Sequence, residues 1–235
     1  MDAKDVRVVN GKVYVYNNGI MNDEKEALKN AAQQSSPEAI QQGVYVIINP
    51  HTGNPVAEVL SAAWDKINEI SGAALPISNA SEANIDIRNQ VKEQNGAVVE
   101  VDHSRGSLTS SNATAEQINR GEAHAPIQSV TYNGAAANAQ RMSNWLEQAT
   151  GGQGQMFQST HQNDLVGRII GGNPETGGVA GSGMASHSSY TGSLPPESIG
   201  SDVNPLRTLT NQTWGVGKIS EPVLVPPSNG IKSTQ

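Results

Sequence analysis

The chain has 235 residues and a formal net charge of −7, a size that suits one α/β domain or two small ones. The acidic balance argues against a broad nucleic-acid or anionic-membrane footprint. Cysteine is absent, which excludes a disulfide framework, thiolate catalysis and a cysteine-based zinc site. No stretch approaches the ~18 apolar residues that a membrane-spanning helix needs.

The first predicted elements are two short strands at residues 6–9 and 12–16, joined by Asn10-Gly11, a dipeptide typical of tight hairpins. The second strand ends in the polar loop Asn17-Asn18-Gly19-Ile20. A helix over residues 23–32 follows, with acidic residues in its first turn, where the helix dipole favours them. The start of the chain therefore predicts a strand that feeds a helix through a glycine loop.

Residues 43–50 form a continuous apolar run, which predicts a strand buried on both faces, as in a parallel sheet. Apolar residues then recur at helical spacing over residues 56–70, which predicts an amphipathic helix that ends at Gly72. Another helix is predicted over residues 82–94, with Asn95-Gly96 as its stop.

Residues 97–107 predict a short strand, a sharp turn and the start of a helix, with Ser104 at the tip of the turn. This layout is typical of a nucleophile elbow, in which a strained turn exposes a serine hydroxyl above the sheet. The usual pattern places a glycine two positions before and two positions after the serine. Gly106 fills the second place, whereas Asp102 replaces the first glycine. An ordinary strand-to-helix loop rich in serine and glycine is the alternative.

The later elements are a strand at 127–132, an alanine-rich helix at 135–148 and a weak strand at 155–159. The alternation of strands and helices over residues 12–160 predicts a three-layer α/β fold with a mostly parallel sheet. We expect this domain to span residues 1–192. We expect residues 193–235 to form an irregular extension that packs on it or trails from it.

Three residues arrive in an order that suits acyl transfer. A serine nucleophile needs a base to take its proton and a carboxylate to orient that base. In α/β-hydrolases these groups follow one another as serine, acid and histidine. Ser104 is followed by Asp164, in the loop after the last predicted strand, and by His187 in a late loop. We therefore predict Ser104 as nucleophile, Asp164 as orienting acid and His187 as base.

The oxyanion donors are predicted from backbone position. One is the N–H of Arg105, directly after the nucleophile, and the other comes from a loop after an earlier strand. Gly19 and Ile20 match that loop best. Asn18 is a candidate for lining the substrate site.

Several alternatives stay open. His161 is a rival base and Asp102 a rival acid, although acid and base normally come from different loops, which favours His187. His103 neighbours Ser104 in sequence, so we expect its side chain to point elsewhere, and both His103 and His161 are candidates for lining the substrate site. His51 and His124 are expected on the surface. No cluster of His, Asp or Glu has metal-ligand spacing, so we predict a site without metal or cofactor.

Segments at 16–20, 101–107, 162–167, 170–174 and 186–190 together resemble the α/β-hydrolase-like C-terminal domains of large bacterial two-partner-secreted hemagglutinin or adhesin proteins. Those domains are similar to the toxin tips delivered in contact-dependent growth inhibition. The resemblance implies an α/β-hydrolase-like fold, cleavage of esters, including those of lipids, and a cognate immunity protein. It also implies a secreted or cell-surface location at the tip of a larger protein that acts in a target cell.

The main hypothesis is a serine hydrolase of the esterase, lipase or phospholipase type, acting as a toxic effector. A hydrolase-like module whose work is to bind a protein partner is the second. A third is a serine enzyme that acts on another acyl group, such as an amide or a thioester.

Overall fold

A six-stranded sheet forms the centre of the part of the chain that the computed structural model describes, residues 6–20, 22–49, 53–122, 124–177, 186–187, 190 and 221–228. Its strands are β1 (Lys12–Asn17), β2 (Val44–Ile47), β3 (Ala97–His103), β4 (Ile127–Asn133), β5 (Gln155–Ser159) and β6 (Val223–Leu224). They lie in the order β2-β1-β3-β4-β5-β6. The first five are parallel to their neighbours and β6 is antiparallel. The predicted α/β class and mostly parallel sheet are confirmed.

Helices flank this sheet. They are α1 (Glu24–Gln34), α2 (Pro37–Gln42), α3 (Pro55–Ile70), α4 (Asn79–Glu93), α5 (Gly106–Asn119) and α6 (Ala139–Thr150), with a π-helix at Val166–Ile170. Most start at a side chain that accepts a first-turn N–H, as Asp23 does for α1 and Ser78 for α4. Among the described helices, none is long and apolar enough to cross a membrane.

Strand order brings two predicted loops together. β1 lies between β2 and β3, and Asn17 at its end pairs with Asp102 near the end of β3. In a parallel sheet the carboxyl ends of neighbouring strands share one edge, which is where α/β proteins place their ligands. The Gly19 loop therefore lies beside the turn that carries Ser104.

β2 corrects one expectation. It is an edge strand, and its first three residues are only partly buried, so it is not a strand buried on both faces of a sheet interior. Both α1 and α4 contact it. An apolar run indicates that other elements pack on the two faces of a strand. It does not indicate that the strand has a neighbouring strand at both of its edges.

The predicted N-terminal hairpin is reduced to its turn. Val9 and Lys12 form a single antiparallel bridge around Asn10-Gly11, and both turn residues have positive φ. The turn chemistry was sufficient to reverse the chain, whereas residues 6–8 do not continue the pairing.

Two apolar clusters hold helices to the sheet. One joins α4 to β1 and β3 through Val13, Val98 and Val91, and the other joins α6 to β4 and β5 through residues such as Val130 and Met142.

Helix α5 is buried between them and is polar along its length. Its fully buried side chains include Ser107, Thr109, Ser110, Ser111, Asn112, Thr114 and Gln117. An ion pair beneath it joins Arg88 of α4 to Glu100 of β3, with Nε to Oε1 at 2.8 Å. Arg88 also donates to Ser110, Thr114 and Gln117, so the buried guanidinium binds side chains on three turns of α5 as well as Glu100.

Helix α3 forms as predicted, but its apolar face is turned away from the protein. Glu58, Asp65, Asn68 and Glu69 are buried, at 2% exposed or less. The apolar side chains over residues 56–70 are 47% to 67% exposed at the large positions. An amphipathic surface helix normally buries its apolar stripe, so the orientation of α3 is the reverse of the usual one.

Candidate active site

Ser104 occupies a strained turn directly after β3. Its φ is +55°, a left-handed conformation that costs a residue with a side chain about 1–3 kcal/mol. The turn is held by the end of β4 and the loop after it, since Ser104 N–H donates to Asn133 O at 3.3 Å and Ser104 O accepts from Ala136 N–H at 3.2 Å. The Ser107 hydroxyl donates to the same carbonyl at 2.6 Å. A serine kept in this conformation by its surroundings is the local geometry that defines a nucleophile elbow.

The glycine after the elbow is required by contact with β1. A Cβ on Gly106 would lie 2.0 Å from the carbonyl oxygen of Asn17. Asp102, which stands where the elbow pattern has its first glycine, is accommodated because its carboxylate accepts from the Asn17 amide at 2.6 Å. Burial and the nearby Glu100 carboxylate raise the pKa of Asp102 well above its usual value. Asp102 is therefore accommodated at the position where the elbow pattern has a glycine.

Asp164 and His187 are brought together, although 23 residues separate them. His187 Nδ1 lies 3.1 Å from both carboxylate oxygens of Asp164, and both side chains are buried. Val166 and Gly167 donate their N–H groups to Oδ1, and the Tyr190 hydroxyl donates to Oδ2 at 2.8 Å. Burial alone would raise the pKa of Asp164, but the contacts with His187, Gly167 and Tyr190 lower it to about 2. The carboxylate is therefore ionised at neutral pH, and Nδ1 carries the proton.

The loop after β4 connects this pair to the elbow. A Cβ on Gly134 would lie 2.6 Å from Asp164 Oδ2 and 3.0 Å from His187 Nδ1, so only glycine allows the pair to pack there. Two residues further on, Ala136 donates to Ser104 O. Among the described residues, Ser104 Oγ makes no hydrogen bond to His187. Such bonds in substrate-free sites are often long and tighten on binding.

The predicted oxyanion donors border Ser104. A Cβ on Gly19 would lie 3.2 Å from the Cβ of Ser104, so the backbone of this loop is packed against the nucleophile. Within the described part of the chain, the N–H groups of Gly19, Ile20 and Arg105 donate to no other group. Free N–H groups beside a serine are suited to hold a developing oxyanion.

Asn18 anchors the loop that carries Gly19 and Ile20. It is fully buried, its carbonyl accepts from the Asn49 amide at 2.7 Å, and its side-chain oxygen accepts from Asn22 at 3.0 Å.

His103 lies against the base. Its ring stacks on His187 with centroids 4.9 Å apart, and its Nε2–H donates to the His187 carbonyl at 3.0 Å. Burial, and then the charge of His187, lower the pKa of His103 to about 4. His103 is therefore neutral at pH 7 and places no positive charge beside His187.

His161 contacts the residues on either side of His187 in the chain. Its Nδ1–H donates to the Ser186 carbonyl at 2.9 Å, and its ring stacks on Tyr190 with centroids 4.0 Å apart. Its backbone N–H donates to the Tyr190 hydroxyl. Burial lowers the pKa of His161. Of the two histidines considered as base, His187 is the one hydrogen-bonded to Asp164.

Two residues in this site had no role in the sequence analysis. Tyr190 holds the second oxygen of Asp164, and Gly134 makes room for the acid–base pair. Tyr190 lies three residues after His187 in the late motif, which is the one sequence signal that could have pointed to it. Nothing in the sequence distinguishes Gly134 from the other glycines that follow strands.

His124 is exposed, and His51 lies outside the described residues. In the described ranges, no group of three or more His, Asp or Glu side chains is placed to hold a metal ion.

The comparisons with known proteins return no similarity from which a family could be taken. No family model, curated protein or solved structure matches this chain.

Proposed function

We propose that this protein is a serine hydrolase that cleaves esters, including lipid esters, through an α/β-hydrolase-like site. The observation that carries the proposal is the buried Asp164–His187 pair, which packs on Gly134 in the same loop that holds the strained turn of Ser104 through Asn133 and Ala136. No other group in the described part of the chain combines a nucleophile at an elbow with an oriented base.

The chemistry follows from the atoms available. Since Nδ1 of His187 is held by Asp164, Nε2 is the nitrogen left to take the Ser104 proton as Oγ attacks the ester carbonyl. The carbonyl oxygen becomes an oxyanion, for which the N–H groups of Gly19, Ile20 and Arg105 are the donors. His187 then protonates the leaving alcohol, and water releases the acyl group by the same steps in reverse.

Two features favour these roles. Asp164 stays ionised, which stabilises the imidazolium that forms on His187, and burial raises the pKa of Tyr190, so its hydroxyl remains a donor to Asp164.

The test is labelling with a fluorophosphonate, which reacts with activated serines. We expect the wild type to be labelled and Ser104→Ala and His187→Ala to be unlabelled. Ser61→Ala and His124→Ala, which change a serine on α3 and an exposed histidine, serve as matched controls and should label fully. Labelling that survives in Ser104→Ala overturns the assignment. If labelling is lost in Ser104→Ala but survives in His187→Ala, the base is His161 or His103 instead.

The alternative is a catalytically weak module that binds a protein partner through the same scaffold. The specific observation in its favour is that Ser104 Oγ makes no hydrogen bond to His187 among the described residues. Absence of labelling in a folded wild-type protein that binds its partner tightly would support this alternative.

The toxin assignment and the cognate immunity protein are proposed from the resemblance of the motifs. We expect expression of the domain in a bacterial cytoplasm or periplasm to arrest growth, and Ser104→Ala to relieve the arrest. Full toxicity of a folded Ser104→Ala variant would separate any toxic activity from ester cleavage.

A further inference from the structure

The outer face of α3 is a continuous apolar surface. It is defined by Val56, Val59, Leu60, Ala63, Trp64, Ile67 and Ile70, which are all exposed. No charged residue occupies the exposed positions of this helix. The patch covers on the order of several hundred Å², comparable with the largest apolar patches of monomeric proteins, which are often functional.

The orientation of α3 is fixed by the charges on its inner face. Asp65 accepts from Arg105 Nε at 2.7 Å. Glu69 binds Lys66 at 2.9 Å, and it also binds Arg141 and the N–H of Asn138. Turning the helix over would leave these buried charges without partners, which is strongly unfavourable. The apolar face is therefore held outward by the rest of the fold.

Contacts of the inner face also place helix α3 next to the candidate active site. Arg105 directly follows Ser104, and Lys66 Nζ donates to the carbonyl of Ala136, whose own N–H binds Ser104 O. Helix α3 thus borders the turn that carries the nucleophile.

A second exposed apolar group lies on the other side of the 135–138 loop. Leu165 directly follows Asp164, Ile169 and Ile170 lie one turn further on, and the three are 50% to 74% exposed. Asn138, which contacts Glu69 of α3, also donates to the carbonyl of Gly171, so one short loop joins the two apolar groups. The elements that carry the nucleophile and the acid therefore each have exposed apolar side chains beside them.

We propose that the outer face of α3, together with Leu165, Ile169 and Ile170, docks on the surface of a zwitterionic lipid layer, which has no net charge. The docking would present the Ser104 site to ester bonds at that surface, and in this respect it rests on the function proposed above. The face lacks the lysines and arginines that anionic lipids attract, and the chain carries a net charge of −7. The nearby Arg168 is paired with Glu175 at 3.5 Å.

The composition of the face fits this partner. Aliphatic side chains and the half-exposed indole of Trp64 are the groups that favour the boundary between lipid headgroups and acyl chains. The apolar residues lie on two separate elements with a polar loop between them. A lipid layer accommodates such a divided surface, whereas a single partner helix would cover α3 alone.

The experiment measures binding to phosphatidylcholine vesicles by co-sedimentation. We expect the Ser104→Ala variant to bind. We expect Leu60→Glu/Ile67→Glu to lower the partition coefficient at least tenfold, since two apolar side chains that the lipid would bury are lost. The matched control is Leu28→Glu/Ile40→Glu, which changes residues of similar exposure on α1 and α2 and should bind as the wild type does. Circular dichroism checks that each variant is folded.

The outcomes separate this proposal from the hydrolase itself. Vesicle binding by a protein that no fluorophosphonate labels would uphold the docking surface and reject the enzyme. Labelling without binding to phosphatidylcholine rejects the docking surface, as does binding that requires anionic phosphatidylglycerol. A dimer by light scattering that Leu60→Glu/Ile67→Glu turns into a monomer, without vesicle binding, would assign the face to a second copy of the chain.

Discussion

The buried histidine beside the base makes the protein sensitive to moderate acid. His103 has a pKa of about 4 in the folded protein, against an ordinary value of 6.5. Between these pH values the unfolded chain binds a proton at His103 that the folded protein does not. The folded state therefore loses stability as the pH falls from 6.5 toward 4, and none of that loss is present above pH 7.

The size of the effect follows from the two pKa values. Complete titration corresponds to about 3 kcal/mol, and most of this is lost by pH 4.5. We propose to measure the free energy of unfolding in urea at pH 7.5 and pH 4.5, for the wild type and for His103→Gln. Glutamine keeps a nitrogen donor for the His187 carbonyl but does not titrate.

We expect the wild type to lose about 2 kcal/mol more than His103→Gln between the two pH values. His161, whose pKa burial also lowers, is present in both proteins, so its effect cancels in the difference. His124→Gln is the control, because His124 is exposed and should leave the wild-type pH dependence unchanged. Equal losses in the wild type and His103→Gln would refute the buried neutral state of His103.

Three other substitutions test the scaffold and the site. Gly106→Ala should cost at least about 3 kcal/mol by thermal unfolding, because its Cβ would meet a β1 carbonyl oxygen at 2.0 Å, and an unchanged Tm would contradict the close approach. Arg88→Met should cost about 3–5 kcal/mol in urea, since it leaves the Glu100 carboxylate buried and unpaired. The double variant Arg88→Met/Glu100→Leu should recover most of that loss, and no recovery would refute the pairing argument. Asp164→Asn should lower kcat for a soluble ester by about 10⁴-fold with a smaller change in KM, and a kcat within tenfold of the wild type would remove Asp164 from the catalytic site.

The elbow was predictable because its signals are local. A strand, a turn and a helix follow one another within residues 97–107, and each has its own residue pattern. The order Ser104, Asp164, His187 then limited the choice of acid and base. The structure adds what spacing does not contain, namely that the chain after β5 brings Asp164 and His187 into contact beside Gly134 of the loop after β4.

The orientation of α3 could not be predicted from its own pattern. Periodicity shows that a helix has two unlike faces, but which face turns inward depends on the partner surface. Here that surface offers Arg105, Arg141 and the N–H of Asn138, so the acidic face is the complementary one. The edge position of β2 was missed for a similar reason, since the identity of neighbouring strands is a property of the whole sheet.

The polar side chains that helix α5 buries affect how the stability of the protein depends on temperature. Most side chains that α5 buries carry hydroxyl or amide groups, so unfolding hydrates an unusual amount of polar surface. Hydration of polar surface lowers the heat capacity of unfolding, whereas apolar surface raises it. We therefore expect a heat capacity change per residue below the usual value of about 12–15 cal/mol/K. The curve of stability against temperature should accordingly be broad and shallow, with the folded state changing little in stability from cold to warm conditions.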